Sequence, residues 1–231
     1  MQSIIYAIGD VHGEADRLKQ LHQYILEHHA FAHEGAPLTL VHLGDYVDRG
    51  PNSCRLIKYL MEFSLQPEIK TVNLKGNHEE MMLDAISRHQ HGEVWLSNGG
   101  DTTMQSYTEA GHDHVPQTHI DWLENLPSFY QDNEAKLIFV HAGIDVTIWP
   151  EVREEVHLWS RSPRFFRTEN WNNPALEGWR VVHGHTPTDD FYPDVSGDPP
   201  RRINLDTGAC YGGRLTAAKF APGEEVRFFY S

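Results

Sequence analysis

IIYAIGDVHG (4–13), LTLVHLGDYVDRG (38–50) and KTVNLKGNHE (70–79) follow one plan, and that plan decides the fold. Each opens with a β-branched or aliphatic run (Ile4–Ile8, Leu38–Leu43, Lys70–Leu74), breaks into a turn packed with Gly, Asp, Asn and His, and leads into a helical pattern. Leu18, Leu21 and Ile25 recur at helical spacing after the first turn, Leu56, Tyr59, Leu60 and Phe63 after the second, and Met81, Met82, Ala85 and Ile86 after the third. Strand, turn and helix in succession predict right-handed crossovers into a parallel sheet. All three turns then lie at the carboxyl ends of neighbouring strands, the edge of an α/β sheet where ligands gather.

The rest of the chain is less regular. Residues 92–127 mix Gly, Asn, Asp, His and Thr around WLSNGG (95–100), with a short helix expected at His119–Asn125, and read as a cap-like insert within a single domain spanning 1–231. Strand runs return at Lys136–Val140, Arg180–Val182, Arg202–Leu205, Leu215–Phe220 and Val226–Tyr230, several with the alternation or hairpin spacing of antiparallel pairing. PDVSGDPP (193–200) reads as a surface loop. The expected fold class is α/β, a mixed β-sheet sandwich flanked by helices.

Composition narrows the function. With 39% hydrophobic and 23% charged residues over 231 positions, the chain can bury a core without covalent staples. Its net charge of −14 argues against a nucleic-acid partner, because gripping phosphates along a strand needs a basic surface. No run approaches the roughly 20 apolar residues of a membrane span, so a soluble, cytoplasmic protein without a membrane partner is expected. Cys54 and Cys210 are far apart and in no CxxC spacing, which excludes a disulfide framework and a thiolate zinc site.

Asp10 and His12 follow the first strand, Asp45 the second, Asn77 and His78 the third, and His141 and His185 each follow a later one. Five strand ends thus bring metal-capable oxygens and nitrogens together, with negative charge that a cation would neutralise. The set is oxygen and nitrogen without sulfur, which suits Mn²⁺, Fe or Zn²⁺ and argues against Cu(I). Neither cysteine falls in a nucleophile motif. The other histidines read blandly: His22, His28, His29 and His33 on or beyond a polar helix face, His89 and His91 near a helix end, His112 and His114 in a polar loop, His42 and His183 as core. Residues 152–179 interleave Arg153, Trp159, Arg161, Arg164, Phe165, Phe166, Arg167, Trp171 and Trp179, which reads as packing before it reads as a peptide groove.

Joined in order, GDVHG (9–13), GDYVDRG (44–50), GNHE (76–79), HAG (141–143) and GHT (184–186) make a restrictive pattern. It resembles the metallophosphoesterase superfamily and, within it, the phosphoprotein-phosphatase family of serine/threonine phosphatases in its bacterial and phage branch. The resemblance runs from Ile4 to Phe220 and takes in WLSNGG, LWSR (158–161) and LDTGACYGG (205–213). It implies a calcineurin-like fold and two divalent metal ions, Mn²⁺ first among them. By that likeness Asp10 and His12 bind the first metal, Asp45 bridges, and Asn77, His141 and His185 complete the second. The superfamily's GHxH motif often supplies a further histidine to the first metal; Pro187 stands there instead.

Two ions about 3.5–4 Å apart lower the pKa of a bridging water and clamp both oxygens of an in-line displacement at phosphorus. A serine alkoxide also needs a proton to depart, and His78, one residue past Asn77, is placed to give it. Asp48 resembles the carboxylate that orients this histidine. Arg49 offers a planar fork for two phosphoryl oxygens. Arg161 is the expected second clamp, with Arg164 as its competitor, and Tyr211 resembles a position overhanging the metals. The expected activity is removal of phosphate from phosphoserine or phosphothreonine of a phosphoprotein or phosphopeptide. The alternative is symmetrical hydrolysis of a dinucleoside polyphosphate on the same metal cradle. That branch typically carries Gln in place of His12 and Asn in place of Asp48. A non-catalytic metal-binding scaffold is the remaining reading.

Overall fold

The three aliphatic runs form parallel strands β1 (Ile4–Ile8), β2 (Leu38–His42) and β3 (Ile69–Asn73) in the computed structural model, which describes residues 2–231. Helices α1 (Ala15–Ala32) and α2 (Ser53–Phe63) make the crossovers, and α3 (Asn77–Ile86) follows β3. Helix α4 (Gly92–Trp95), a π turn (Leu96–Gly100), α5 (Asp101–Glu109) and α6 (Gln117–Glu124) come next. The second half holds β4 (Phe129–Asp132), β5 (Leu137–Val140), the short helices α7 (Glu154–Trp159) and α8 (Pro163–Phe166), β6 (Arg180–His183), β7 (Asp194–Ser196), β8 (Arg202–Asn204), β9 (Thr216–Phe220) and β10 (Arg227–Tyr230).

Two mixed five-stranded sheets result, ordered β10-β9-β1-β2-β3 and β4-β5-β6-β8-β7. Side-chain alternation along β1 shows how they stack. Ile5 and Ala7 face the other sheet with Val41, Leu43, Phe139, Val182 and Ile203, whereas Ile4, Tyr6 and Ile8 face Leu18, Leu21 and Ile25 of α1 and Leu56 and Leu60 of α2. Both faces being covered, all five residues of β1 and of β2 are buried, as a nearly continuous aliphatic run requires. Ile138, Val140 and Val181 point outward from the second sheet onto Trp149, Phe165, Trp171 and Leu176. Most of the aromatic 152–179 stretch is therefore packing. Trp95, Tyr107, Ile120 and Leu123, from the helices between residues 92 and 127, join the core beneath α2 and α3.

Three details depart from the expectation. The loop at 193–200 contains the three-residue strand β7, whose Asp-Val-Ser run is legible only through its pairing with β8. Strand β4 was not anticipated, because Phe-Tyr-Gln-Asp shows little alternation and its four residues are half-buried. His22 is not on a polar face: it completes the buried i, i+3, i+4, i+7 stripe Leu18, Leu21, His22, Ile25, and its ring nitrogens meet Tyr59 Oη and His42 Nε2 at 2.8 Å each. No helix among the described residues is long and apolar enough to cross a membrane.

Candidate metal centre

The turns after β1, β2, β3, β5 and β6 do meet. Donor atoms of His12, Asp45 and His78 lie within 4.8 Å of one another, as do those of Asp45, His141 and His185, so Asp45 belongs to both groups. Asn77 Oδ1 completes the second, 2.9 Å from His141 Nε2 and 2.8 Å from His185 Nδ1. The backbone is bent to achieve this. His12, Asp45, Asp48, Arg49 and His185 all have positive φ (41°, 54°, 72°, 65° and 69°), a conformation L-residues avoid unless the surroundings impose it. Gly76 and Gly184 let backbone approach the carboxylates: a Cβ there would stand 2.2 Å from Asp45 Oδ1 and 1.9 Å from Asp10 Oδ1.

The polarity of the donors fits a cation. His141 Nδ1 donates to Leu43 O at 2.9 Å and His12 Nδ1 to Val47 O at 2.8 Å. Each ring's Nε2 therefore carries a lone pair, and each faces an oxygen of Asp45 at 3.4 Å. Burial keeps these rings neutral, lowering His12 and His185 to about 3. Lone pairs and a carboxylate converging in a buried space repel one another unless positive charge lies between them.

Carboxylates crowd the same place. Burial raises Asp10 well above its usual range, with Asp206 and Asp45 adding repulsion. Burial also lifts Asp206, whose value rises to about 6 with Asp45 contributing. Asp45 behaves oppositely: burial pushes it up, but the histidines around it, among which His78 keeps its proton, outweigh that and hold it below the ordinary range. The Arg49 guanidinium draws both Asp10 and Asp206 down, against the burial that raises them.

Of the sequence-predicted ligands, the donors of His12, Asp45, Asn77, His141 and His185 come together. Asp10 differs. Its carboxylate lies in neither group of converging donors and accepts the His185 backbone N–H at 3.0 and 3.2 Å instead. Sequence reasoning missed Asp206, and it missed Glu79. The latter's fully buried carboxylate accepts the backbone N–H groups of Asp45 (2.8 Å), Tyr46 (2.7 Å), Val47 (3.2 Å) and Gly76 (2.8 Å), pinning the turn that carries Asp45. The signal was the Glu three residues after Gly76, a helix-capping position at the start of α3.

His78 Nδ1 donates to Asp48 Oδ2 at 2.7 Å, and the two are buried together. Burial works against the charged ring, but Asp45 and the Asp48 bond outweigh it, so His78 holds its proton more tightly than an ordinary histidine. Trp95 Nε1 and Thr103 Oγ1 also donate to Asp48, at 3.0 and 2.8 Å from Oδ1, which explains why the WLSNGG stretch belongs to the site. Arg49 Nη1 donates to His12 Nε2 at 2.7 Å, and Arg161 Nε to His185 Nε2 at 3.2 Å. Arg164 instead lines two cavities of about 620 and 500 Å³ whose walls contain none of the converging donors. Tyr211 is exposed beside Arg49.

This arrangement can be set against known proteins. The profile described as calcineurin-like phosphoesterase matches residues 4–218. A bis(5′-nucleosyl)-tetraphosphatase PrpE (asymmetrical) of Anoxybacillus flavithermus is 28% identical over 95% of this chain and 91% of its own length. A crystal structure of a putative diadenosine tetraphosphatase superposes with a TM-score of 0.65 at 21% identity, over 99% of this chain and 93% of that one. The cold-active protein-tyrosine phosphatase of a psychrophilic Shewanella species superposes with a TM-score of 0.63 at 18% identity, over 97% and 80% of the two chains. With the profile covering nearly its whole length, the chain belongs to the calcineurin-like phosphoesterase family.

Proposed function

We propose that this protein is a metal-dependent hydrolase of dinucleoside tetraphosphates that cleaves them asymmetrically, with Mn²⁺ as the first-choice metal and two ions per site. The observation that carries the substrate is the end-to-end likeness to a relative named as an asymmetrical bis(5′-nucleosyl)-tetraphosphatase. The phosphoprotein expected from the sequence therefore moves to second place. His12 and Asp48 differ from the Gln and Asn typical of the symmetrical branch and carry nothing against asymmetrical cleavage.

His12, Asp45, Asn77, His141 and His185 would hold the ions, with Asp10 and Asp206 adding negative charge behind them. Such ions, when bound, supply Lewis-acid charge and an activated water at neutral pH. The chain's own residues do the rest. Arg49 and Arg161, both within hydrogen-bonding distance of the ligand histidines, take non-bridging phosphoryl oxygens and offset the charge that grows on them. Asp48 orients His78 so that the ring can deliver a proton to the departing oxygen.

One observation favours the second reading, hydrolysis of phosphoserine or phosphothreonine. A buried, carboxylate-held imidazolium is what an alkoxide leaving group requires, whereas a nucleotide leaving group titrates near neutrality and needs it far less. Incubating Mn²⁺-loaded protein with diadenosine tetraphosphate, and separately with a phosphoserine peptide, tests the choice. Nucleoside triphosphate and monophosphate in equal amounts, formed only with metal, are expected. Phosphate release from the peptide with no nucleotide product overturns the proposal.

A further inference from the structure

The rim of the metal centre is aromatic on one side. Tyr211 ends a short 3-10 turn (Ala209–Tyr211) set between Gly208 and Gly212, both left-handed with φ of 67° and 85°, and the side chain is left 53% exposed. The Arg49 guanidinium carbon lies 5.5 Å from the centre of its ring. The turn is held firmly, because Arg17 donates to the carbonyls of Ala209, Gly213 and Ser231 at 2.9, 2.8 and 2.7 Å.

Phe191 lies across the same turn. A Cβ on Gly208 or Gly213 would come 2.7 or 2.8 Å from its ring, so both glycines are needed for the ring to seat. Phe191 reaches this position with φ of 58°, which a bulky side chain adopts only when its surroundings over-determine it. The Asp206 carbonyl accepts from Thr188 N–H and the Thr188 carbonyl from Phe191 N–H, tying this loop to the floor of the metal centre. Tyr192 follows, also exposed, with Arg214 stacked 4.2 Å from its ring centre. An exposed ring beside a cation aimed at the metal donors matches the two ends of a nucleotide, a base to stack and a phosphate to neutralise.

We propose that Tyr211, on the ring face that Arg49 leaves open, is a platform on which one nucleobase of the substrate stacks, and that it selects the α-phosphorus for attack. The proposal rests on the dinucleoside-tetraphosphate reading above. A single ribose separates a base from its α-phosphate, so a base on Tyr211 brings that phosphate, and not the β, beside Arg49. The water oxygen then forms a bond to the α-phosphorus, and the bond from that phosphorus to the bridging oxygen breaks. The bridging oxygen leaves with the electron pair on the nucleoside triphosphate and receives the proton the water gives up. The monophosphate thus carries the new oxygen.

Two measurements on the metal-loaded protein test this. Hydrolysis of diadenosine tetraphosphate in ¹⁸O-water, read by mass spectrometry, is expected to label adenosine monophosphate; label in the triphosphate overturns the assignment of the α-phosphorus. Calorimetric titration with adenosine monophosphate and with inorganic phosphate needs no turnover, so it decides on the platform even if the dinucleotide proves not to be a substrate. The nucleotide is expected to bind about tenfold tighter than phosphate, the scale of one base stacked on one ring. That ratio should collapse in Tyr211→Leu and survive in Tyr211→Phe. Equal binding of the two ligands by the unmutated protein, or a ratio unchanged in Tyr211→Leu, overturns the platform.

Discussion

Replacing Glu79 with glutamine keeps size and shape and should nevertheless damage both the fold and the metal centre. The two carboxylate oxygens share four backbone N–H groups: Asp45 and Gly76 on Oε2, Tyr46 and Val47 on Oε1. Glutamine offers one acceptor oxygen, enough for one of these pairs, and turns an NH₂ group toward the other. Two buried donors lose their partner, at roughly 1–3 kcal/mol each, and the surviving bonds lose their charge assistance. The expected destabilisation is about 3–6 kcal/mol, a large share of the roughly 5–15 kcal/mol that holds a domain together. Because three of the four N–H groups belong to the turn that carries Asp45, and whichever pair is freed includes at least one of them, metal content should fall with stability. Urea unfolding with metal analysis before and after dialysis checks both. A Glu79→Gln protein within about 1 kcal/mol of the parent and with full metal content would refute the role given to this carboxylate.

Other substitutions follow from the same geometry. His78→Ala should cost about 10²–10⁴-fold with a phosphoserine peptide and far less with an aryl phosphate, whose leaving group needs no proton; equal losses in kcat would make His78 a metal or binding residue. Arg161→Ala should lower kcat/KM by about tenfold or more through loss of a charge-assisted contact, while Arg164→Ala stays within about twofold, and the reverse ranking would exchange their roles. Burial lowers His42 to about 4, so between pH 6.5 and 4 the unfolded chain takes up a proton that the native one does not. Stability should therefore fall with pH across that window, by roughly 3 kcal/mol from this group. A His22→Leu/His42→Leu double variant should show a shallower acid slope in denaturant titrations, and an unchanged slope would contradict this.

The first sheet was legible in the sequence because strand and helix periods alternate cleanly there, and most of the converging donors were legible because each sits just past an aliphatic run. What it hid is mostly contact at a distance. Glu79 binds a turn whose Asp45 lies 34 residues earlier, Trp95 and Thr103 reach Asp48 from helices that follow α3, and Asp206 joins Asp10 only once the two sheets stack. His22 looked polar although its spacing matched the buried stripe of α1. Arg161 and Arg164 are three residues apart and alike in chemistry. The extended backbone at Ser160, where α7 ends, accompanies the turn of Arg161 toward His185, while Arg164 lies within α8 on the wall of the outer cavities.

The central claim is that this metal centre serves a dinucleoside tetraphosphate in preference to a phosphoprotein. The direct measurement is kcat/KM for diadenosine tetraphosphate and for a phosphoserine peptide, side by side, on one Mn²⁺-loaded preparation. A preference of tenfold or more for the dinucleotide, about 1.4 kcal/mol of transition-state stabilisation, is the predicted result. A tenfold preference for the peptide would contradict it and return the protein to the phosphoprotein-phosphatase reading.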